Sequence, residues 1–261
     1  MSVLIFLICL ASCIIGGICG IGGGVIIKPV LDAMGVMSVS AISFLSGLTV
    51  MSMAVVNLYK QRKNKLVEMK TGSLLAVGAV VGGIVGNTLF QTLKAATGQD
   101  ALVGMVQAIV LALVTAATLV YSGYLRSRLP SYQVKNPVGI VVIGLLVGVI
   151  SAFLGIGGGP INLAILYFAF SMPTKKAAAN SLYIILFSQL SSFVTTCVKG
   201  KVPDVEIGYL VLMVSAGIIG GLIGSKINKK IDAATTDKLF SGLMVVIIFI
   251  CCYNAWRFAG V

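Results

Sequence analysis

Gly20-Ile21-Gly22-Gly23-Gly24 recurs in the second half of the chain as Gly155-Ile156-Gly157-Gly158-Gly159. Both runs lie inside apolar sequence. Val3 to Cys19 precedes the first and Val25 to Met34 follows it; Val138 to Leu154 precedes the second and Ile161 to Phe170 follows it. Glycine has no Cβ and weakens a helix, so four glycines in five positions should break one outright. Broken backbone at membrane depth is tolerated only where protein or a watery cavity satisfies it. Pro160, directly after the second run, suits the first turn of a new helix, where its missing N–H is not needed. Each run is therefore expected to end one helix and begin another, whose free N–H groups and positive dipole end attract anions.

The pattern extends outward from these turns. The first half continues with apolar runs Val39 to Leu58, Gly72 to Leu93 and Leu102 to Tyr124. The second continues with Ser181 to Val198, Gly208 to Ile227 and Leu239 to Trp256. Each half reads long, short, long, long, long. A second motif repeats in the same order, Val81-Gly82-Gly83-Ile84-Val85-Gly86 as Ile219-Gly220-Gly221-Leu222-Ile223-Gly224. Two ordered matches mark a duplication. Charged residues make up 10% of the chain against about 25% in soluble domains. With roughly 20 residues per crossing, the 261 residues hold eight to ten membrane segments and no sizeable domain outside the bilayer.

The halves can be parallel or inverted, and the basic residues discriminate, because Lys and Arg collect in cytoplasmic loops. Let Lys60, Arg62, Lys63, Lys65 and Lys70 be cytoplasmic. If each glycine run turns the chain back as a hairpin, Arg126, Arg128, Lys135, Lys175, Lys176, Lys226, Lys229, Lys230 and Lys238 join them. Lys94, Lys199, Lys201 and Arg257 stay outside: fourteen bases against four. If each short segment continues its predecessor, the division is eleven against seven. The expected fold is therefore all-α: a polytopic membrane helix bundle of two inverted repeats, each a glycine-broken helical hairpin plus three long transmembrane helices. Residues 1–125 form the first repeat, 126–137 a cytoplasmic linker and 138–261 the second repeat, with both termini outside.

Several chemistries are excluded. The formal charge of +12 sits in short loops, as topology signals do, so no nucleic-acid partner is expected. Histidine is absent, which removes the usual metal ligand and general base; neither metal, cofactor nor enzymatic activity is expected. Most of the six cysteines fall in apolar runs without metal spacing and read as buried, inert thiols. Leu10-Ala11-Ser12-Cys13 looks like a lipoprotein cleavage box, but no Lys or Arg precedes it, and a secretory signal needs a basic leading region. The segment reads as an uncleaved first membrane helix. Gly20-x-Gly22 is no dinucleotide loop, because that fingerprint needs a preceding strand. A non-transporting scaffold has no need of unwound backbone at depth.

The candidate site is built around the turns, from Gly22, Gly23, Gly24, Gly157, Gly158 and Gly159. Lys28 follows the first turn, with Asp32 one helical turn later. It either pairs with Asp32 or supplies positive charge near an anion; its counterpart in the second half is Leu163. Ser43, Ser46 and Thr49 share a helical face, and Asn180, Ser181, Ser188, Gln189 and Ser192 mark the matching helix of the second half. Ser46 and Ser181 correspond at the offset of the glycine runs. Asn162 follows the second turn. Hydroxyls and amides can replace an oxyanion's water shell without adding negative charge; interhelical hydrogen bonding is the competing use. Substrate contacts are expected from Ser43, Ser46, Asn162, Asn180, Ser181 and Gln189. The Gly-Gly-x-x-Gly stretches read as packing seams, which also permit a homodimer. No Asp or Glu lies deep in a long segment, so no carboxylate relay is expected.

The doubled Gly-x-Gly-Gly-Gly turns, the Ser151-Ala152-Phe153-Leu154 lead-in, Pro160, Asn180-Ser181 and the Gly-Gly-x-x-Gly helices resemble the TauE/SafE family of sulfite exporters across essentially the whole chain. The resemblance implies a multi-pass transporter of the cell's inner membrane that moves sulfite, a sulfonate or a related organosulfur anion. The first half has Val25 where the second has Pro160, so the two turns are not equivalent.

Overall fold

The computed structural model describes residues 1–64, 66–126, 128 and 131–260. Lys65, used in the topology count, lies outside the described residues, as do Ser127, Leu129 and Pro130 of the linker. The described chain is a bundle of ten α-helices with no strand among the described residues. The first half holds α1 (Ser2–Cys19), α2 (Gly24–Met34), α3 (Val39–Gln61), α4 (Met69–Thr97) and α5 (Asp100–Val120). The second holds α6 (Pro137–Leu154), α7 (Gly159–Phe170), α8 (Thr174–Val198), α9 (Ile207–Asn228) and α10 (Ala233–Ala259). Eight are long and apolar enough to cross a membrane. The exceptions are α2 and α7, with 11 and 12 residues. At 1.5 Å per residue each covers only about 18 Å or less, short of a bilayer core of about 30 Å.

Helix ends sit where cap chemistry puts them. Gly20 and Gly155 end α1 and α6 in the left-handed conformation, at φ 77° and 64°, which glycine adopts without a Cβ penalty. Asn136 caps α6 by accepting from the Val138 N–H, with Pro137 at the first position. Ser38 and Asp232 cap α3 and α10 in the same way. Pro160 lies in the first turn of α7.

The packing partners come in pairs that exchange when the halves are exchanged. α4 lies along α6 as α9 lies along α1, and α3 lies on α9 as α8 lies on α4. α5 packs on α10 and α3 on α8. The seams are made by glycine. A Cβ on Gly82 would stand 2.8 Å from the Val149 backbone nitrogen on α6, and one on Gly148 would stand 2.6 Å from the Ala79 carbonyl oxygen on α4. Gly217, Gly220, Gly221 and Gly224 bring α9 equally close to α3 and α1. These seams join helices of one chain.

Polar contacts tie the helix ends into two groups. At one end Lys229, after α9, donates to the Lys60 carbonyl of α3, and Lys175, in the first turn of α8, donates to the carbonyls of Asn228 and Ile231. Asp237 of α10 joins them by accepting from Arg126 and Thr174. At the other end Lys94 of α4 meets Ser40 of α3, Lys199 after α8 meets Thr88 of α4, and Arg257 of α10 donates to the Asp32 and Ala33 carbonyls of α2.

Candidate functional site

The two glycine turns meet in the middle of the bundle. A Cβ on either Gly22 or Gly157 would touch the same pair of side chains, Val50 of α3 and Ile185 of α8. Gly24 faces the Ile156 carbonyl, and Gly159 faces Val25. The turns therefore abut each other, with Val50 and Ile185 wedged between them. They differ at two residues. Gly158 is at φ 103°, next to the side chains of Ser151 and Asn162, and Gly159 is left-handed at φ 55°, whereas Gly23 is right-handed at φ −69° and packs on Cys13, and Gly24 already opens α2.

Beside this junction lies a cavity of about 300 Å³. Three polar stripes converge on it. From α3 come Ser40, Ser43 and Gly47; from α4, Asn87, Gln91 and Lys94; from α8, Gln189, Ser192 and Thr196. Each stripe has the three- and four-residue spacing of one helical face. Gly155 and Ala152 contribute the wall on the α6 side, Phe44, Phe90 and Phe193 add apolar wall, and Lys201 to Pro203 of the α8–α9 loop form the rim. Asn87 donates to Ser192 and Thr196, both at 2.9 Å. Lys94 donates to Ser40 at 2.6 Å and pairs with Asp100 at 3.2 Å. Among the described residues no carboxylate lines the cavity. Three of its buried groups, the Ser43 hydroxyl, the Gln189 Nε2 and the Asn87 Oδ1, have no hydrogen-bond partner among the described residues; the first two can donate, the third only accepts.

Of the residues expected from sequence, Ser43 and Gln189 line this cavity. The cavity reaches Gly155 and stops short of Gly22, Gly23, Gly24, Gly157, Gly158 and Gly159, which lie in the turn junction. Ser46 and Ser181 are fully buried, and their hydroxyls lack partners among the described residues, as do both side-chain atoms of Asn162. Lys28 forms a buried pair with Asp32 at 2.9 Å and does not line the cavity. Asn180 serves a clasp at the opposite end. Its Oδ1 accepts from the Glu68 N–H at 3.2 Å and its Nδ2 donates to the Leu66 carbonyl at 3.3 Å, while Lys176 pairs with Glu68 at 3.3 Å. The α3–α4 loop is thereby tied onto α8. The equivalent loop of the second half, between α8 and α9, instead rims the cavity.

Sequence reasoning missed Asn87, Gln91 and Thr196. The signal was present: Asn87, Gln91 and Lys94 fall at i, i+4 and i+7 in an otherwise apolar helix, a stripe that lipid would not tolerate.

Comparison with known proteins agrees with this architecture. The family model described as sulfite exporter TauE/SafE matches residues 4–250. The probable membrane transporter protein YunE of Bacillus subtilis (strain 168) is 24% identical over 261 aligned residues, covering 91% of both chains. The probable membrane transporter protein MJ0441 of Methanocaldococcus jannaschii is 23% identical, over 89% of this chain and 88% of its own. A third, the probable membrane transporter protein MamO of Magnetospirillum gryphiswaldense, is 20% identical over 43% of this chain and 19% of its own. No solved structure matches. With the family model covering nearly all of its length, this multi-pass membrane protein belongs to the sulfite exporter TauE/SafE family of transporters.

Proposed function

We propose that the chain is a secondary transporter of the cell's inner (plasma) membrane, carrying sulfite or an organosulfur anion such as a sulfonate by alternating access. The observation that carries this reading is the cavity: buried hydroxyl and amide donors, two lysines at its mouth and no carboxylate on its described wall. An oxyanion accepts what these groups donate, and a cation would find no charge to balance it. The family description names sulfite, which supports the substrate class. The anion sits on the cavity floor, held by Ser43 and Gln189 beside Gly155, where the second turn begins.

Transport further requires the cavity to close at one end and open at the other. Inverted repeats provide this, because exchanging the conformations of the two halves exchanges the two faces. The inverted relation is supported by the helix ends. The C-terminal end of α3 meets that of α9, whose counterpart is α4, and the first turn of α8 shares that end with them. The Asn180–Glu68–Lys176 clasp holds one face shut while the loop in the equivalent place leaves the other open. Passage then takes the anion by Gly22 and Gly157, as Val50 and Ile185 part. An inside-negative potential favours anion efflux by about 2.3 kcal/mol per charge per 100 mV.

A Ser43→Cys variant, in a background lacking the exposed Cys197 and Cys252, tests the site. A negatively charged thiol reagent should modify Cys at this position and block transport, and sulfoacetate should slow the modification. Labelling that neither blocks transport nor responds to sulfoacetate would remove the anion from this cavity.

A further inference from the structure

A second, much smaller void lies on the other side of the last turn of α6. It has about the volume of one water molecule and is lined by Lys28 and Asp32 of α2, Gln107 of α5, Leu154 of α6, and Cys251 and Asn254 of α10. Three buried oxygens at this void, Asp32 Oδ1, Gln107 Oε1 and Asn254 Oδ1, have no partner among the described residues. Each is an acceptor. The amide orientations are set by their nitrogens: Gln107 Nε2 donates to the Phe153 carbonyl at 2.6 Å, and Asn254 Nδ2 to the Pro29 carbonyl at 2.7 Å. The cluster thus turns three acceptor oxygens toward one small void.

We infer that Asp32 is a proton-binding coupling site, at which one proton and the transported anion favour each other's occupancy. A proton added to Oδ1 turns the carboxylate into a neutral acid whose O–H donates to the Gln107 or Asn254 oxygen. No bond to a metal or cofactor is needed, and the void does not have to grow. The proton comes from water on the open side and returns to water on the other. A metal cation would also meet three oxygens, but it would sit against the Lys28 ammonium, which lines the same void. The charged and titratable groups facing Asp32 are Lys28 of its own helix, whose ammonium loses its partner, and Arg257 of α10, which donates to the Asp32 and Ala33 carbonyls. The Cys251 thiol of α10 also lines the void, while its described α5 and α6 walls are uncharged.

Protonation therefore leaves one uncompensated positive charge in the bundle. An anion in the larger cavity compensates it. The two sites share a wall: Ala152 and Gly155 line the anion cavity, Leu154 lines the void, and Gln107 holds the Phe153 carbonyl between them. One helix diameter, about 10 Å, separates them. Opposite charges at that distance in a protein environment favour joint occupancy by about tenfold. Buried ionisable groups in membrane bundles mark such relays. With one proton per monoanion the moved unit is neutral, so the membrane potential that favours efflux of the anion alone drops out, and the pH and concentration gradients set the direction.

This inference rests on the anion reading of the larger cavity, so the test has one arm that needs no anion. Infrared difference spectra of the reconstituted wild type, recorded as the pH is lowered, should gain the C=O band of a buried protonated carboxyl group that Asp32→Asn lacks. In proteoliposomes the apparent affinity for sulfoacetate should rise about tenfold on acidification in the wild type. Asp32→Asn, which mimics the protonated acid, should exchange sulfoacetate independently of pH and fail to accumulate it under a pH gradient. Absence of the band from the wild type, its persistence in the variant, or pH-driven accumulation by the variant would each overturn the inference. The band together with a wild type that moves no sulfur anion would support the proton site and overturn the anion reading alone.

Discussion

Gln189 offers the sharpest test of anion recognition, because one atom can be changed without changing shape. Its Oε1 approaches Gly47, and its Nε2 has no partner among the described residues. In Gln189→Ala the anion loses that donor. A hydrogen bond to a charged group contributes about 1.5–3 kcal/mol, so the apparent affinity should fall roughly ten- to a hundredfold. Gln189→Glu has nearly the same volume but presents a carboxylate. Two like charges about 4 Å apart at an effective dielectric of about 20 repel by roughly 4 kcal/mol, a loss near a thousandfold wherever the glutamate is ionised. The order wild type, Ala, Glu is the signature, since a packing role would make the isosteric Glu milder than Ala. The assay is saturation of sulfoacetate exchange in proteoliposomes, with insertion checked by size-exclusion chromatography. Equal affinities for all three proteins, or Glu better than Ala, would refute the reasoning.

Three further expectations follow from the packing and the ends of the bundle. Gly82→Leu pushes a side chain into the α6 backbone and should destabilise the protein by about 1–3 kcal/mol or more, whereas Gly208→Ala, with nothing within 4 Å of its Cβ, should be neutral or stabilise by up to about 1 kcal/mol; thermal unfolding in detergent compares them. Cysteines at positions 68 and 176, joined by a short thiol cross-linker, should stop transport by fixing the clasp, and transport at the uncross-linked rate would count against the clasp as a gate. Lys201→Gln removes a charge from the cavity mouth. It should weaken anion affinity a few-fold at low salt and much less at high salt, because exposed charges are screened over about 10 Å at 0.1 M.

Much of the fold is legible because membrane sequences constrain local structure tightly. Gly20 and Gly155 take the left-handed caps, Pro160 falls in the first turn of α7, and the short runs become helices too short to span. The site is less legible, because it depends on which faces meet. Ser46 and Ser181 correspond in sequence just as the turns do, yet neither lines the cavity, while Ser43 and Gln189 do. Of the glycines expected to bind, Gly22 and Gly157 lie against Val50 and Ile185, away from the cavity. The sequence pattern points to Asn180 as a substrate contact. The structure places it under a loop more than a hundred residues away in sequence, a contact no local pattern encodes. The same holds for the pairing of Lys176 with Glu68, which joins segments equally far apart in sequence. Asp32 is less legible because it lies in the short helix α2, outside the long apolar segments in which a buried carboxylate stands out from the sequence.

The central claim is that a small sulfur anion passes through this chain. The direct measurement is tracer counterflow in proteoliposomes loaded with unlabelled sulfoacetate, with sulfite, taurine, sulfate and acetate as competitors. Counterflow needs only exchange, so it is blind to the coupling ion. The account calls for saturable counterflow, competed by sulfite and not by acetate, and strongly reduced in Gln189→Glu. Folded, inserted protein that exchanges none of these sulfur anions, or that exchanges them equally well as Gln189→Glu, would contradict it.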